Sequence, residues 1–275
     1  MTNFIKKLIP TYIKDYIKKQ ILNTQQNGNL LNVTEKNFYC PVCNENITHF
    51  ERLQDFYFEK LDKVQNVHSF FHSETFHYLK YYCSNCYSSD RNRLYALYLK
   101  AVFEKQTKEV TFLDIAPDQN LSNWIKSFPK VNYRSTDLKM ENADDKVDIT
   151  CMPMYKDGSY DIVLCSHVLE HVVEDRKAIS EIYRILKPDG FAIIMVPLAL
   201  LLEEDLECDD YNTDDLRWKY YGQNDHVRMY SKPGFKNKLN NAGFKISEFD
   251  INYFGEETFN KCGIHHRSVL YIVNK

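Results

Sequence analysis

No apolar run in this 275-residue chain reaches the ~18 residues that a membrane-spanning helix needs, so a helical membrane span is excluded. Its first residues lack the apolar centre of a signal peptide. An excess of one charge is missing as well. With 35 Lys and Arg against 38 Asp and Glu, the net charge is −3, and the basic footprint expected of a nucleic-acid-binding protein is absent. These absences set the expectation of a cytoplasmic protein, whose eight cysteines serve as thiols or metal ligands rather than disulfides. A sequon such as Asn46-Ile47-Thr48 then carries no meaning. What is abundant is aromatic: 20 Tyr and 17 Phe, which do not by themselves separate sugar stacking from ordinary core. At 44% apolar content the chain can bury a full core and a small accessory unit.

Residues 3–22 place apolar side chains at helical spacing, with Lys6, Lys7, Lys14, Lys18 and Lys19 off the stripe. Pro10 would kink this helix or start a second one. The segment reads either as an interfacial contact with an anionic membrane surface or as a helix docked on its own protein. A polar linker follows, so residues 1–30 are expected to stand apart.

Two Cys-x2-Cys pairs come next, Cys40/Cys43 and Cys83/Cys86. Such pairs put four thiolates on two tight knuckles, the arrangement that encloses a tetrahedral Zn2+ in a closed, structural site. His68, His72 and His77 lie between the pairs as reserve ligands. This defines an expected zinc-binding unit over 31–92, with the aromatic stretch between the pairs contributing to its own packing. The next stretch predicts a helix capped by Ser88, Ser89 or Asp90, facing the remaining chain through Leu94, Leu97, Tyr98, Ala101 and Val102. Arg91 and Arg93 at its start could meet an anionic substrate or form a salt bridge.

From residue 93 onward short Val/Ile/Leu runs alternate with amphipathic segments. Such alternation predicts an α/β domain with a mostly parallel sheet covered on both faces, whose ligands sit at the carboxyl ends of the strands. Acids mark successive strand ends: Asp114 in VTFLDIAPD, Asp137 closing VNYRSTD, and Asp148 opening DITCMP. The next strand ends in SHVLEHV, and LKPDG precedes the apolar run FAIIMVP. Residues 198–230 form an insertion with an acidic first part, read as solvated, and a polar second part from Gly222 to Arg228. A helix and two final strands complete the pattern.

In that order these motifs resemble class I S-adenosylmethionine (SAM)-dependent methyltransferases, of the type 11 kind. The amino-terminal part is similar to bacterial members carrying a zinc knuckle followed by Arg-x-Arg. The resemblance implies a Rossmann-like domain over 93–275 with a seven-stranded sheet and a small four-cysteine zinc domain before it. It also implies SAM as cofactor: Asp137 beside the ribose, Asp148 and Ile149 at the adenine, Asp114, Ala116 and Pro117 around the methionine part, and Leu138, Asn120, Ser166 and His167 as further cofactor-binding residues. The family's first loop is usually rich in glycine. Here it reads Asp-Ile-Ala-Pro-Asp.

The implied reaction is methyl transfer to a hydroxyl, or an amine, of a small-molecule or glycan-type acceptor. A hydroxyl must lose its proton. Asp225 and His226, with Arg228 beside them, are the expected acceptor-side group, while His167 and His171 flank the segment at i and i+4. Those two could form a metal pair, but no third ligand has convincing spacing. Two alternatives remain open: an RNA methyltransferase, against which the acidic balance argues, and a non-catalytic SAM-binding or zinc scaffold.

Overall fold

The computed structural model describes residues 37–68 and 72–275, and Asn37–Lys275 form one compact unit. The expected helix over 3–22 lies outside the described residues. Two short antiparallel pairs carry the cysteines: β1 (Phe38–Cys40) with β2 (Glu45–Ile47), and β3 (Phe50–Glu51) with β4 (Tyr82–Cys83). Between β3 and β4 runs helix α1 (Asp55–Lys63). Helix α2 (Asp90–Glu104) starts at Ser89, whose hydroxyl accepts the Asn92 amide.

The sheet that follows is built from β5 (Val110–Ile115), β6 (Val131–Asp137), β7 (Asp145–Lys146), β8 (Tyr160–Ser166), β9 (Leu186–Met195), β10 (Lys245–Phe249) and β11 (Leu270–Asn274). Its order is β10-β11-β9-β8-β5-β6-β7, parallel except for β11, which runs against both neighbours. The central strands read as unbroken apolar runs because helices cover both faces. Ile162, Val163, Leu164 and Cys165 of β8 are all buried. Flanking helices are α3 (Gln119–Lys126), α4 (Asp175–Ile185), α5 (Asp214–Tyr221), α6 (Lys232–Asn241), α7 (Ile251–Phe254) and α8 (Glu256–Lys261). This is the Rossmann-like architecture expected, with all seven strands.

LKPDG is not a separate turn. The chain stays extended from Leu186, and Lys187–Gly190 form a bulge between the Tyr160–Leu186 and Ile162–Phe191 pairs. Gly190 is required there, since a Cβ would stand 2.6 Å from the Asp161 carbonyl oxygen.

Helix α2 packs the face its periodicity suggested in part: Leu94 is buried, and Leu97, Tyr98 and Val102 are half-buried against the core. Leu94, Tyr95, Leu99 and Phe103 are buried, whereas Ala101 is exposed. Arg93 on the same helix is fully buried and meets neither a carboxylate nor an open surface. Its guanidinium donates to the carbonyls of Cys262 (2.7 Å), Ser88 (2.8 Å), Tyr81 (3.1 Å), Gly263 (3.1 Å) and Lys80, and lies 4.1 Å from the Phe50 ring centre. One side chain thus ties the second cysteine knuckle to the turn before β11. Arg93→Ala would orphan several buried acceptors, each costing about 1–3 kcal/mol. The expected loss in urea unfolding is at least about 3 kcal/mol, with only partial recovery in Arg93→Lys, whose ammonium cannot reproduce the planar fork. A loss within ~0.5 kcal/mol, the range of an ordinary surface change, would show that these bonds hold nothing together.

The insertion after β9 is more firmly held than its acidity suggested. Glu203, Glu204, Asp209 and Asp210 are exposed, but Asp205 turns inward and Glu207, though exposed, is held by an ion pair. Lys238 of α6 bridges Glu207 at 2.6 Å, Asp175 at 2.7 Å and Asp205 at 3.0 Å, and Asp205 also accepts the Ser231 amide. The α1 segment packs against this insertion and not only within its own knuckle. Tyr57 meets Trp218 of α5 at 6.3 Å between ring centres, Lys60 pairs with Asp215 at 2.9 Å, and Asn66 donates to the Trp218 carbonyl.

Candidate active site

Sequence order reverses between β5 and β8, the switch point at which open α/β sheets bind ligands. Two non-glycine residues with left-handed backbone stand at that point: Ala116 (φ 55°) after β5 and His167 (φ 57°) after β8. Each is locked by its own amide, Ala116 to the Thr136 carbonyl and His167 to the Met195 carbonyl, both at 2.8 Å. Left-handed geometry costs an alanine about 1–2 kcal/mol, and backbone strain of this kind concentrates at ligand sites. The methyl-sized Ala116 therefore adopts the conformation for which a glycine would ordinarily be chosen.

The three acids fall at neighbouring strand ends but differ in state. Asp114 is buried and receives hydroxyl hydrogen bonds from Tyr133 (2.8 Å) and Ser122 (3.1 Å), which join β5 to β6 and α3. Burial pushes its carboxyl up to about 7. Asp137 accepts the Lys139 and Met140 amides through Oδ1 alone, leaving Oδ2 for a ligand. Asp148 is exposed and accepts the Thr150 amide and hydroxyl at 2.8 Å. Leu138, 58% exposed, and buried Ile149 offer apolar surface beside these acids. Asn120 stands in the first turn of α3, where the Asp118 carboxylate caps the helix. Ser166 closes β8, its hydroxyl 2.8 Å from the Tyr95 hydroxyl.

Beyond the ends of β8 and β9 lies a cavity of about 370 Å³. One wall comes from the insertion (Leu198, Tyr221, Gly222, Met229), and the opposite wall from the segment between the cysteine pairs (Tyr57, Phe58, Phe76, Tyr81). Arg91, His167, Glu170, His171 and His226 supply its polar groups. The short 3-10 turn Leu169–His171 and the insertion bring those side chains together. His226 is 3% exposed, and its Nδ1 lies 3.1 Å from the Tyr221 carbonyl oxygen. The His171 ring meets the His226 ring edge-on at 4.8 Å, and its Nδ1 is 3.4 Å from Asp225 Oδ2. His167 Nδ1 is 3.3 Å from Glu170 Oε1. Burial pushes His167 down to about 4 and lowers His226 as well, so both rings are neutral at pH 7.

Sequence reasoning grouped His167, His171, Asp225 and His226, and all four converge here, although Asp225 faces His171 and not its neighbour His226. Arg228 does not join them. It is 3% exposed and clamps the loop after β8, donating to the carbonyls of Leu169 (2.9 Å), Val172 and Val173 (2.8 Å) and pairing with Glu207 at 3.0 Å. Glu170 was missed. Its only signal was an acid set among apolar residues between two histidines.

The family described as "Methyltransferase domain" matches residues 89–248, more than half of the chain. The chain belongs to this family. It is a SAM-dependent methyltransferase by its domain. Solved structures to which this chain is similar include a SAM-dependent methyltransferase from Archaeoglobus fulgidus (15% identity, 68% of this chain and 93% of that one, TM-score 0.42). Another is from Mesorhizobium loti (12% identity, 66% and 97%, TM-score 0.44). The CurJ carbon methyltransferase is also similar (13% identity, TM-score 0.43), with 66% of this chain covering 53% of that one. No curated protein matches the sequence. Among the described residues no helix is long and apolar enough to cross a membrane.

In this methyltransferase the four cysteines of the two knuckles form one cluster, with ligand atoms within 4.8 Å of one another. Sγ separations are 3.8 Å for Cys40–Cys86 and 3.9 Å for Cys43–Cys83. Tetrahedral coordination with Zn–S bonds of ~2.3 Å requires S–S separations of about 3.8 Å, which these two pairs match, so the cluster is compatible with zinc. No histidine belongs to it among the described residues; His68, His72 and His77 stay outside.

Proposed function

We propose that this enzyme transfers the SAM methyl group to a hydroxyl of a small-molecule or glycan-type acceptor held in the cavity beyond β8 and β9. The observation that carries the reading is the convergence of neutral imidazoles on a cavity of about 370 Å³ at the switch point. That volume suits a small ligand. Its aromatic walls give stacking surface without a cluster of cations for a nucleic-acid backbone.

SAM supplies an electrophilic methyl on sulfur, and the protein's task is alignment and proton removal. The free Oδ2 of Asp137 would accept from the ribose hydroxyls, with Leu138 and Ile149 flanking the adenine and Asp148 reading its amino group. Ala116 and Pro117 would border the methionine part. The presence of proton acceptors at the acceptor side favours a hydroxyl over an amine, which needs less help. His226, with His171 and its carboxylate partner Asp225, is placed to take the hydroxyl proton. Cys40, Cys43, Cys83 and Cys86 would hold a structural Zn2+ that fixes one wall of the cavity.

Calorimetry with SAM and with its demethylated product tests the cofactor side. Asp137→Ala should weaken SAM binding by roughly 1.5–3 kcal/mol, the range for hydrogen bonds to a charged group. Wild-type protein that shows no heat of binding with either compound at millimolar concentration would end the reading.

A further inference from the structure

Glu170 poses a problem that the acceptor cavity alone does not solve. Its side chain is 1% exposed, and neither carboxylate oxygen closes a hydrogen bond, although His167 Nδ1 approaches Oε1 to 3.3 Å. Arg91 lines the same cavity but forms no ion pair with it among the described residues. An unpaired buried carboxylate is costly, and proteins keep one only where a charge partner or a metal answers it.

The surroundings name that partner. One Glu170 oxygen and one ring nitrogen each from His171 and His226 lie within 4.8 Å of one another. Both rings are oriented from behind. Asp225 holds His171 through Nδ1, by Oδ2 at 3.4 Å and its carbonyl at 3.3 Å, while the Tyr221 carbonyl holds His226 Nδ1 at 3.1 Å. Carbonyl and carboxylate oxygens only accept, so Nδ1 is the donor in each of these contacts and Nε2 is the ring nitrogen left for a ligand. Ligating histidines are oriented in the same way, by a carboxylate or carbonyl on the second ring nitrogen.

From this geometry we infer that Glu170, His171 and His226 form a binding site for a first-row divalent transition-metal ion facing the acceptor cavity. Two imidazoles and one carboxylate suit Zn2+, Mn2+, Fe2+ or Co2+ better than Mg2+ or Ca2+, which prefer all-oxygen shells. Three protein ligands leave coordination positions open, and the cavity is where they open. The inference deepens the acceptor reading and rests on it for its chemistry: an acceptor hydroxyl entering an open position would be oriented and acidified by the ion. Its proton then leaves to water, and His226 acts as a ligand rather than as the base. Acceptors with two neighbouring oxygens, able to chelate, would be preferred over isolated hydroxyls.

Mn2+ titration of the full chain with its cysteine site loaded tests the inference. Mn2+ is hard and avoids thiolates, so its uptake, followed by loss of the free-ion paramagnetic resonance signal, does not report on the knuckles. Wild-type protein should take up one equivalent, and Glu170→Gln and His171→Asn should each weaken uptake at least ~100-fold. SAM calorimetry on the same samples checks that both variants remain folded and that the cofactor site is intact. If SAM binds but neither Mn2+ nor Co2+ is taken up, or if both variants bind the ion as wild type does, the metal site is overturned and the methyltransferase reading stands. Metal uptake lost in the variants, with no SAM binding by wild type, would uphold the site and remove the reaction assigned to it.

Discussion

His226→Ala is expected to lower methyl transfer by about 10²–10⁴-fold while leaving SAM affinity within about twofold of wild type. The asymmetry follows from position. His226 lies on the insertion wall of the cavity, whereas most groups assigned to SAM stand at the ends of β5, β6 and β7, Ser166 and His167 at the end of β8 being the exceptions. A loss of that size is the contribution of a proton acceptor, or of a metal ligand that acidifies the acceptor. The two are separated by adding Mn2+ to protein whose cysteine site stays loaded: a ligand role makes the rate depend on Mn2+, a base role does not. The pH dependence has a fixed sign. Burial keeps His226 and His167 below the ordinary histidine value, so the folded chain holds both neutral where the unfolded chain binds protons. The contribution of His167 to stability is therefore complete above ~6.5 and declines as pH falls from there toward about 4, and that of His226 changes in the same direction. An equal loss of SAM affinity and turnover in His226→Ala would make the residue structural.

Cys83→Ser should have the largest effect on the folded state. Structural zinc in small sites contributes about 10–16 kcal/mol of binding energy coupled to folding, comparable with the whole ~5–15 kcal/mol stability of a domain. Cys40, Cys83, Ile47 and Phe50 belong to the same buried core as the sheet, so the damage would not stay in the knuckle. The variant should purify with less than one zinc per chain and lose cooperative thermal unfolding. Cys151→Ser, at an exposed thiol outside the cluster, should keep both. Elemental analysis that finds no metal in never-chelated wild-type protein would remove zinc from the account.

Much of the architecture is written in local pattern. Strands buried on both faces must be apolar along their whole length, so VTFLDI, YDIVLCS and FAIIMV announce a parallel sheet, and the acids at their ends mark its ligand edge. Two Cys-x2-Cys pairs likewise carry their purpose in their spacing, because each pair need only bend one short turn. Capping by Ser89 is equally local.

Tertiary structure decided what no spacing could state. Arg91 and Arg93 are two residues apart on one helix, yet one faces the cavity and the other bolts the knuckle to the turn before β11, because only folding decides which side meets the carbonyls. Arg228 looked like an acceptor contact and became a clamp once the loop after β8 came within reach. The aromatic stretch between the cysteine pairs became a cavity wall by meeting α5, about 150 residues further along the chain. A third ligand for the histidine pair was not legible either: Glu170 and His171 gain His226 only when the insertion folds back over β8. Hydrophobic periodicity and strand-end chemistry act over a few residues and are visible in sequence. Convergence of charges across a cavity is a property of the closed chain, set by which distant backbone each side chain meets.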